Sequence, residues 1–158
     1  MSPEISVQNS AADACLAAVP EVLEMMFFES MAEAPEIGGS PRLELLDVSR
    51  VDFEGSARGY LVLAAPSALS KSLTEAFLAL ELRQSAPSDV EFVLGELANM
   101  VCGGALGRYQ PDGSFRVSTP ATRLERPSAE LTTSNVSWIR FSFYDGPLFV
   151  GFQPEATQ

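Results

Sequence analysis

Pro87-Ser88-Asp89-Val90-Glu91-Phe92-Val93-Leu94-Gly95-Glu96-Leu97-Ala98-Asn99-Met100-Val101-Cys102-Gly103-Gly104 is the stretch on which the reading of this chain turns. Val90, Val93, Leu94, Leu97 and Val101 recur at helical spacing and make one apolar face. Asp89, Phe92, Glu96, Asn99 and Gly103 make the opposite stripe. Glu96 and Asn99 are three positions apart, so on a helix they project side by side. Ser88 reads as the N-cap with Glu91 at the capping-box position. Gly103, Gly104 and Gly107 read as terminators, because glycine is a poor helix residue. A large aromatic beside an acid, an amide and a glycine marks the stripe as a candidate contact surface.

Working outward, residues 1–9 are polar and aperiodic and read as a flexible tail. From Ala11 to about Ala34 the Ala, Leu, Met and Glu content favours helix, with Pro20 expected to divide it and Val22, Leu23, Met26 and Phe27 to bury. Leu43–Phe53 and Tyr60–Ala65 read as two strands joined near Glu54-Gly55. A helix is expected from Pro66-Ser67 to about Leu82, with Leu69, Leu73, Phe77 and Leu80 on one face. Beyond the central stretch, Pro111-Asp112-Gly113 turns the chain into a strand at Phe115–Thr119. Ala121–Asn135 reads as an irregular loop with room for a short strand. Val136–Tyr144 alternates, Ile139, Phe141 and Phe143 opposing Trp138, Arg140, Ser142 and Tyr144, and Asp145-Gly146-Pro147 returns it into Leu148–Phe152. The fold class that follows is α+β: an antiparallel sheet with a long N-terminal helix and two further helices packed on it. One domain over residues 10–153 is expected, with residues 154–158 as a C-terminal tail.

A chain of 158 residues with 46% hydrophobic content can build a proper core. Its apolar runs are short and interrupted, so neither a signal peptide nor a membrane span is expected, and the location expected is cytoplasmic. The formal charge of −11 leaves no basic patch for nucleic acid or anionic membranes. There is no histidine, which excludes serine–histidine and cysteine–histidine nucleophile systems and histidine metal sites. No metal site is expected elsewhere; Asp145-Gly146 is turn chemistry. Cys15 and Cys102 sit among small apolar residues and read as reduced core thiols. The glycine-rich run after Cys102 lacks the Gly-Lys-Ser/Thr ending and preceding strand of a phosphate loop.

Gly95-Glu96-Leu97-Ala98-Asn99-Met100, Gly103 and Ser118-Thr119-Pro120 together resemble the signature of the CheC/CheX-type chemotaxis phosphatases: a helical E-x-x-N followed some twenty residues on by a proline after a strand. The order of elements resembles that family too. One copy of the motif is similar to the CheX type, since Glu21 and Glu24 in the first helix have no asparagine three residues on. Phe92 and Gly104 depart from the pattern, which often has an acid or serine at the first position and asparagine or lysine at the second.

The resemblance implies a phosphatase acting on the phospho-aspartate of a CheY-type response regulator. In that scheme Asn99 positions water and Glu96 docks on the regulator's active-site lysine, both being catalytic. Phe92, Asp89, Gly103 and Gly104 border the partner. The chain itself binds no cofactor; magnesium is expected on the partner regulator. The resemblance also implies a homodimer, with Val136–Tyr144 or Leu148–Phe152 as the sheet edge that joins two copies. Other readings stand beside these. The fold could serve as a non-catalytic receiver-binding or scaffold module, or as a structural subunit. An exposed Glu and Asn on a helix are most often a solvated face, Thr119-Pro120 could merely end a strand, and Phe92 could pack as core.

Overall fold

The hairpin around Gly55 is the spine of the molecule. In the computed structural model, which describes residues 10–42, 44–79, 85–132 and 135–155, β2 (Leu45–Gly55) pairs antiparallel with β3 (Arg58–Ala65), from Phe53 opposite Gly59 to Asp47 opposite Ala65. On the other side of β3 lies β7 (Gly146–Glu155), then β6 (Trp138–Phe143), then the two-residue β1 (Glu36–Ile37). The free side of β2 takes two strands end to end, β4 (Phe115–Val117) and β5 (Ala121–Pro127). Among the described residues this is one seven-stranded antiparallel sheet.

Three helices, α1 (Ala11–Phe27), α2 (Ser67–Leu78) and α3 (Pro87–Tyr109), bury their apolar sides on one face of it. Val51, Phe53, Leu61, Leu63, Phe141 and Val150 meet Val19, Leu23, Leu73, Val93, Leu94 and Leu97 there. The opposite face is partly covered as well. Leu131 and Val136, from the connection before β6, lie over Leu46, Val62, Trp138 and Phe149. Trp138, on the strand face assigned to Arg140 and Ser142, is therefore buried.

Several expectations are corrected. Pro20 does not divide α1, which runs unbroken from the Ser10 cap to Phe27. An interior proline costs a helix about 3 kcal/mol, and the full burial of Ala18, Val19, Leu23 and Phe27 around it outweighs that. The helix stops at Phe28 in the left-handed region, where the Glu29 N–H donates to the Leu23 carbonyl at 3.0 Å. Residues 28–34 are thus not helical. α2 ends at Leu78, with Ala79 left-handed; Leu80–Leu82 lie outside the described residues, as do the first nine residues and Leu43. Ala86, not Ser88, caps α3. Pro87 takes the first helical position, which its fixed φ suits, and the Asp89 carboxylate accepts from the Ala86 N–H at 2.8 Å.

α3 also runs through Gly103, Gly104 and Gly107 to Tyr109, because Val101, Cys102, Ala105 and Leu106 bury between and around them. By length and composition alone an 18-residue window of this helix, with a mean hydropathy of 1.3, could cross a membrane; here its apolar side forms the middle of the core. Ala121–Pro127 is a full strand. Leu124 is its only large apolar residue, so its alternating exposure leaves no hydrophobic pattern in the sequence; it bulges opposite Leu46–Val48, where buried Asp47 accepts from the N–H of Glu125, itself at φ +54°. β7 extends to Glu155, past the expected boundary, because Pro154 and Glu155 pair with Gly59 and Arg58.

The two strands expected to offer a free edge do not. β7 is internal, paired on both sides. The outer side of β6 is closed by the chain after α1. The Ala32 N–H donates to the Ser142 carbonyl (2.7 Å), Glu36 and Ile37 pair with Arg140 and Ile139, and the Gly38 N–H donates to the Trp138 carbonyl (2.8 Å).

Candidate functional site

α3 lies with most of its circumference in protein, and what reaches solvent is one narrow stripe. Phe92 is 56% exposed on it, and Glu96 and Asn99 are half-buried beside each other one turn on. Beyond them, Gly103 and Gly107 are bare. A Cβ built at either would meet nothing within 4 Å. The structure thus brings Phe92, Glu96, Asn99 and Gly103 together, as their spacing required. Among the described residues, neither the Glu96 carboxylate nor the Asn99 carboxamide makes a hydrogen bond or ion pair within the chain.

Two of the expected border residues are occupied elsewhere. Asp89 spends its carboxylate on the helix cap. Gly104 faces α1, where its missing side chain lets the helices approach; a Cβ there would lie 3.3 Å from that of Ala18. Next to this crossing, Arg108 donates to the Gly104 carbonyl (3.1 Å) and to Glu21 (2.8 Å), bracing α3 against α1.

The other flank of the stripe is set by the sheet. Ser118 sits between β4 and β5, donating its N–H to the Asp52 carbonyl (2.8 Å) and accepting the Asp52 N–H on its hydroxyl (2.9 Å). This step delivers Pro120 against α3 at Gly95, where a Cβ would stand 3.2 Å from the proline Cβ. Buried Ser49 and Thr122 exchange a hydrogen bond just beyond (2.9 Å). Pro120 therefore does more than end a strand. It rests on the residue preceding Glu96, and the Gly95 in the middle of a helix was the signal for so close a neighbour.

The cysteines take no part. Both are buried and free, and burial pushes each thiol up to about 12, so they stay protonated at neutral pH. The arrangement on α3 offers an acceptor-only carboxylate and a carboxamide that both donates and accepts. Both face outward on a convex helix, with glycine openings alongside. The surface concavity that includes Pro41, Arg42, Leu45 and Pro127, and the one that includes Arg50, Tyr60, Arg116 and Ser118, are lined by neither. Such a surface suits contact with another macromolecule better than enclosure of a small one.

No curated protein sequence matches the chain. Solved structures do. CheX of Desulfovibrio desulfuricans superposes with a TM-score of 0.71 at 18% identity, over 92% of this chain and 99% of that one. CheX of Vibrio vulnificus gives 0.72 at 20%, over 93% and 97%. A CheX solved with CheY, BeF3 and Mg2+ from Borrelia burgdorferi gives 0.72 at 17%, over 93% and 99%. Each shares the fold of three helices on an antiparallel sheet. The family described as chemotaxis phosphatase CheX matches residues 48–142, from β2 through α3 to β6. The chain belongs to the CheX family.

Proposed function

We propose that this protein hydrolyses the phospho-aspartate of a CheY-type response regulator. The observation that carries the reading is the pair Glu96 and Asn99, side by side on the exposed stripe of α3 and uncommitted to any partner of their own among the described residues. Asn99 holds a water in line with phosphorus by accepting a hydrogen bond from it on the carboxamide oxygen, which aims the water's lone pair, and the water's protons end on the phosphate and in solvent. The water oxygen bonds to phosphorus as the bond to the aspartyl oxygen breaks, leaving inorganic phosphate and a free carboxylate. Chemistry of this kind is dominated by positioning. Glu96 pairs with the regulator's active-site lysine in a charge-assisted contact. Magnesium belongs to the regulator, and this chain needs no cofactor.

The single test is phosphate release from phosphorylated receiver domains of the same organism, with and without the protein. Acceleration for at least one receiver is expected, and none for any would refute the reading. Exposed Phe92 favours one alternative, a receiver-binding module without catalysis. Such a module would bind activated receivers and leave their phosphate lifetime unchanged. The protein works in the cytoplasm in either case. A homodimer joined through the sheet uses β5, which among the described residues pairs with β2 alone.

A further inference from the structure

Beside the Glu96–Asn99 stripe, the last turn of α1 leaves large apolar side chains in water: Met25 is 67% exposed, Met26 42% and Phe28, just past the helix, 80%. Their position relative to the stripe follows from the helix crossing. Gly104 lies against Ala18, while Tyr109 near the end of α3 packs its ring on Phe152, and Ala11, Ala12 and Cys15 at the start of α1 line one cavity with that same phenylalanine. The two helices therefore run antiparallel. Met25 is seven residues beyond Ala18, and Leu97 is seven residues before Gly104. Each stands about 10 Å from the crossing in the same direction. Seven residues are close to two turns, so Met25 also projects on the side of α1 that looks toward α3. It stands level with the turn carrying Glu96 and Asn99, between one and two turns along from Phe92.

The polar surroundings have one sign. α1 and α3 carry Asp13, Glu21, Glu24, Asp89, Glu91 and Glu96 against Arg108, which is already on Glu21. Acidic surroundings with exposed methionines repel an anionic membrane. They complement a protein face that is apolar at its centre and basic around it.

We infer that the docking surface for the receiver domain extends from α3 onto the end of α1, with Met25 and Phe28 as its second apolar contact. The inference rests on the function proposed above. A stable protein contact covers about 800 Å² on each partner, more than the exposed stripe of one helix supplies. A receiver seated over Asn99 must therefore also cover a flank. The sheet-side flank is taken by Pro120, and the α1 flank offers the unpaired apolar area.

The test uses the full chain and receiver domains activated with BeF3 and Mg2+. Met25→Ser and Phe28→Asn should each weaken binding about tenfold and their combination more, with unchanged melting temperature, since both side chains are exposed; asparagine also tolerates the left-handed φ at position 28. Asn99→Ala, by contrast, should lose turnover while keeping affinity. Raising salt should slow association of the wild-type pair. Wild-type affinity in the double variant, alongside a wild-type protein that still dephosphorylates the receiver, overturns the extension and leaves the proposed function standing. A melting temperature lowered by several degrees in Met25→Ser also overturns it, by making the side chain structural. Failure of the wild-type protein to bind any activated receiver removes the function and the inference together.

Discussion

Asn99 is asked to do more with fewer atoms than any other residue here. If it holds the attacking water, Asn99→Ala should cut the catalysed rate about a hundredfold, equivalent to about 3 kcal/mol. The half-exposed side chain should leave the fold intact, and circular dichroism with single-turnover phosphate release checks both. Glu96→Ala should weaken docking and turnover together, and Glu96→Lys should be worse; affinities equal to wild type would remove the lysine contact. A third carboxylate offers a test of stability. Burial, with Asp145 nearby, holds the Glu29 carboxyl above the usual range, against a Ser72 hydrogen bond that pulls it down. Ionised Glu29 thus costs stability above its folded pKa, a cost removed as pH falls below the ordinary value. Glu29→Gln should raise the melting temperature at pH 8, and the gain should shrink to nothing near pH 4. The Glu96–Asn99 pair was legible in sequence because a helical period fixes which residues share a face. The positions of Asp89 and Gly104 were not. Spacing says that a glycine is bare, but only the partner helix shows that Ala18 fills the space at Gly104.

At the scale of elements, α3 separates two kinds of glycine. Gly107 has open space around it, so Gly107→Ala should stabilise by up to about 1 kcal/mol through helix propensity alone. Gly104→Leu should instead destabilise by about 1–3 kcal/mol, because it forces α1 away at Ala18. Chemical denaturation of the two variants measures both signs. Existence and type of the three helices could be read from periodicity, and so could the hairpins at Gly55 and Gly146. The ends could not. Pro20 and the glycines of α3 are local breakers overruled by burial, and local rules contain no burial. β5 escaped for a different reason: its exposure alternates, but Leu124 is its only large apolar residue, so no hydrophobic alternation announces a strand.

Strand order belongs to the whole molecule and was the least legible feature, since it rests on pairings far apart in sequence. That is why β7 looked like an edge and proved internal, and why residues 32–38 were not foreseen as the cover on β6. With that side of β6 covered, β5 is the longest described strand that pairs on one side alone, and its Arg123, Glu125 and Arg126 discourage indiscriminate strand pairing. A dimer by light scattering at micromolar concentration, reduced to monomer in Arg123→Glu/Arg126→Glu, is the expected result; a monomer throughout would end the idea. The contact of Pro120 with Gly95 has a consequence for anyone wishing to transplant this site. The acid is referenced to the sheet through a proline on its neighbouring residue. A scaffold given α3 alone would inherit the side chains and lose their alignment, so the smallest portable unit is the helix together with Ser118–Pro120, β5 and the stretch of β2 that anchors them.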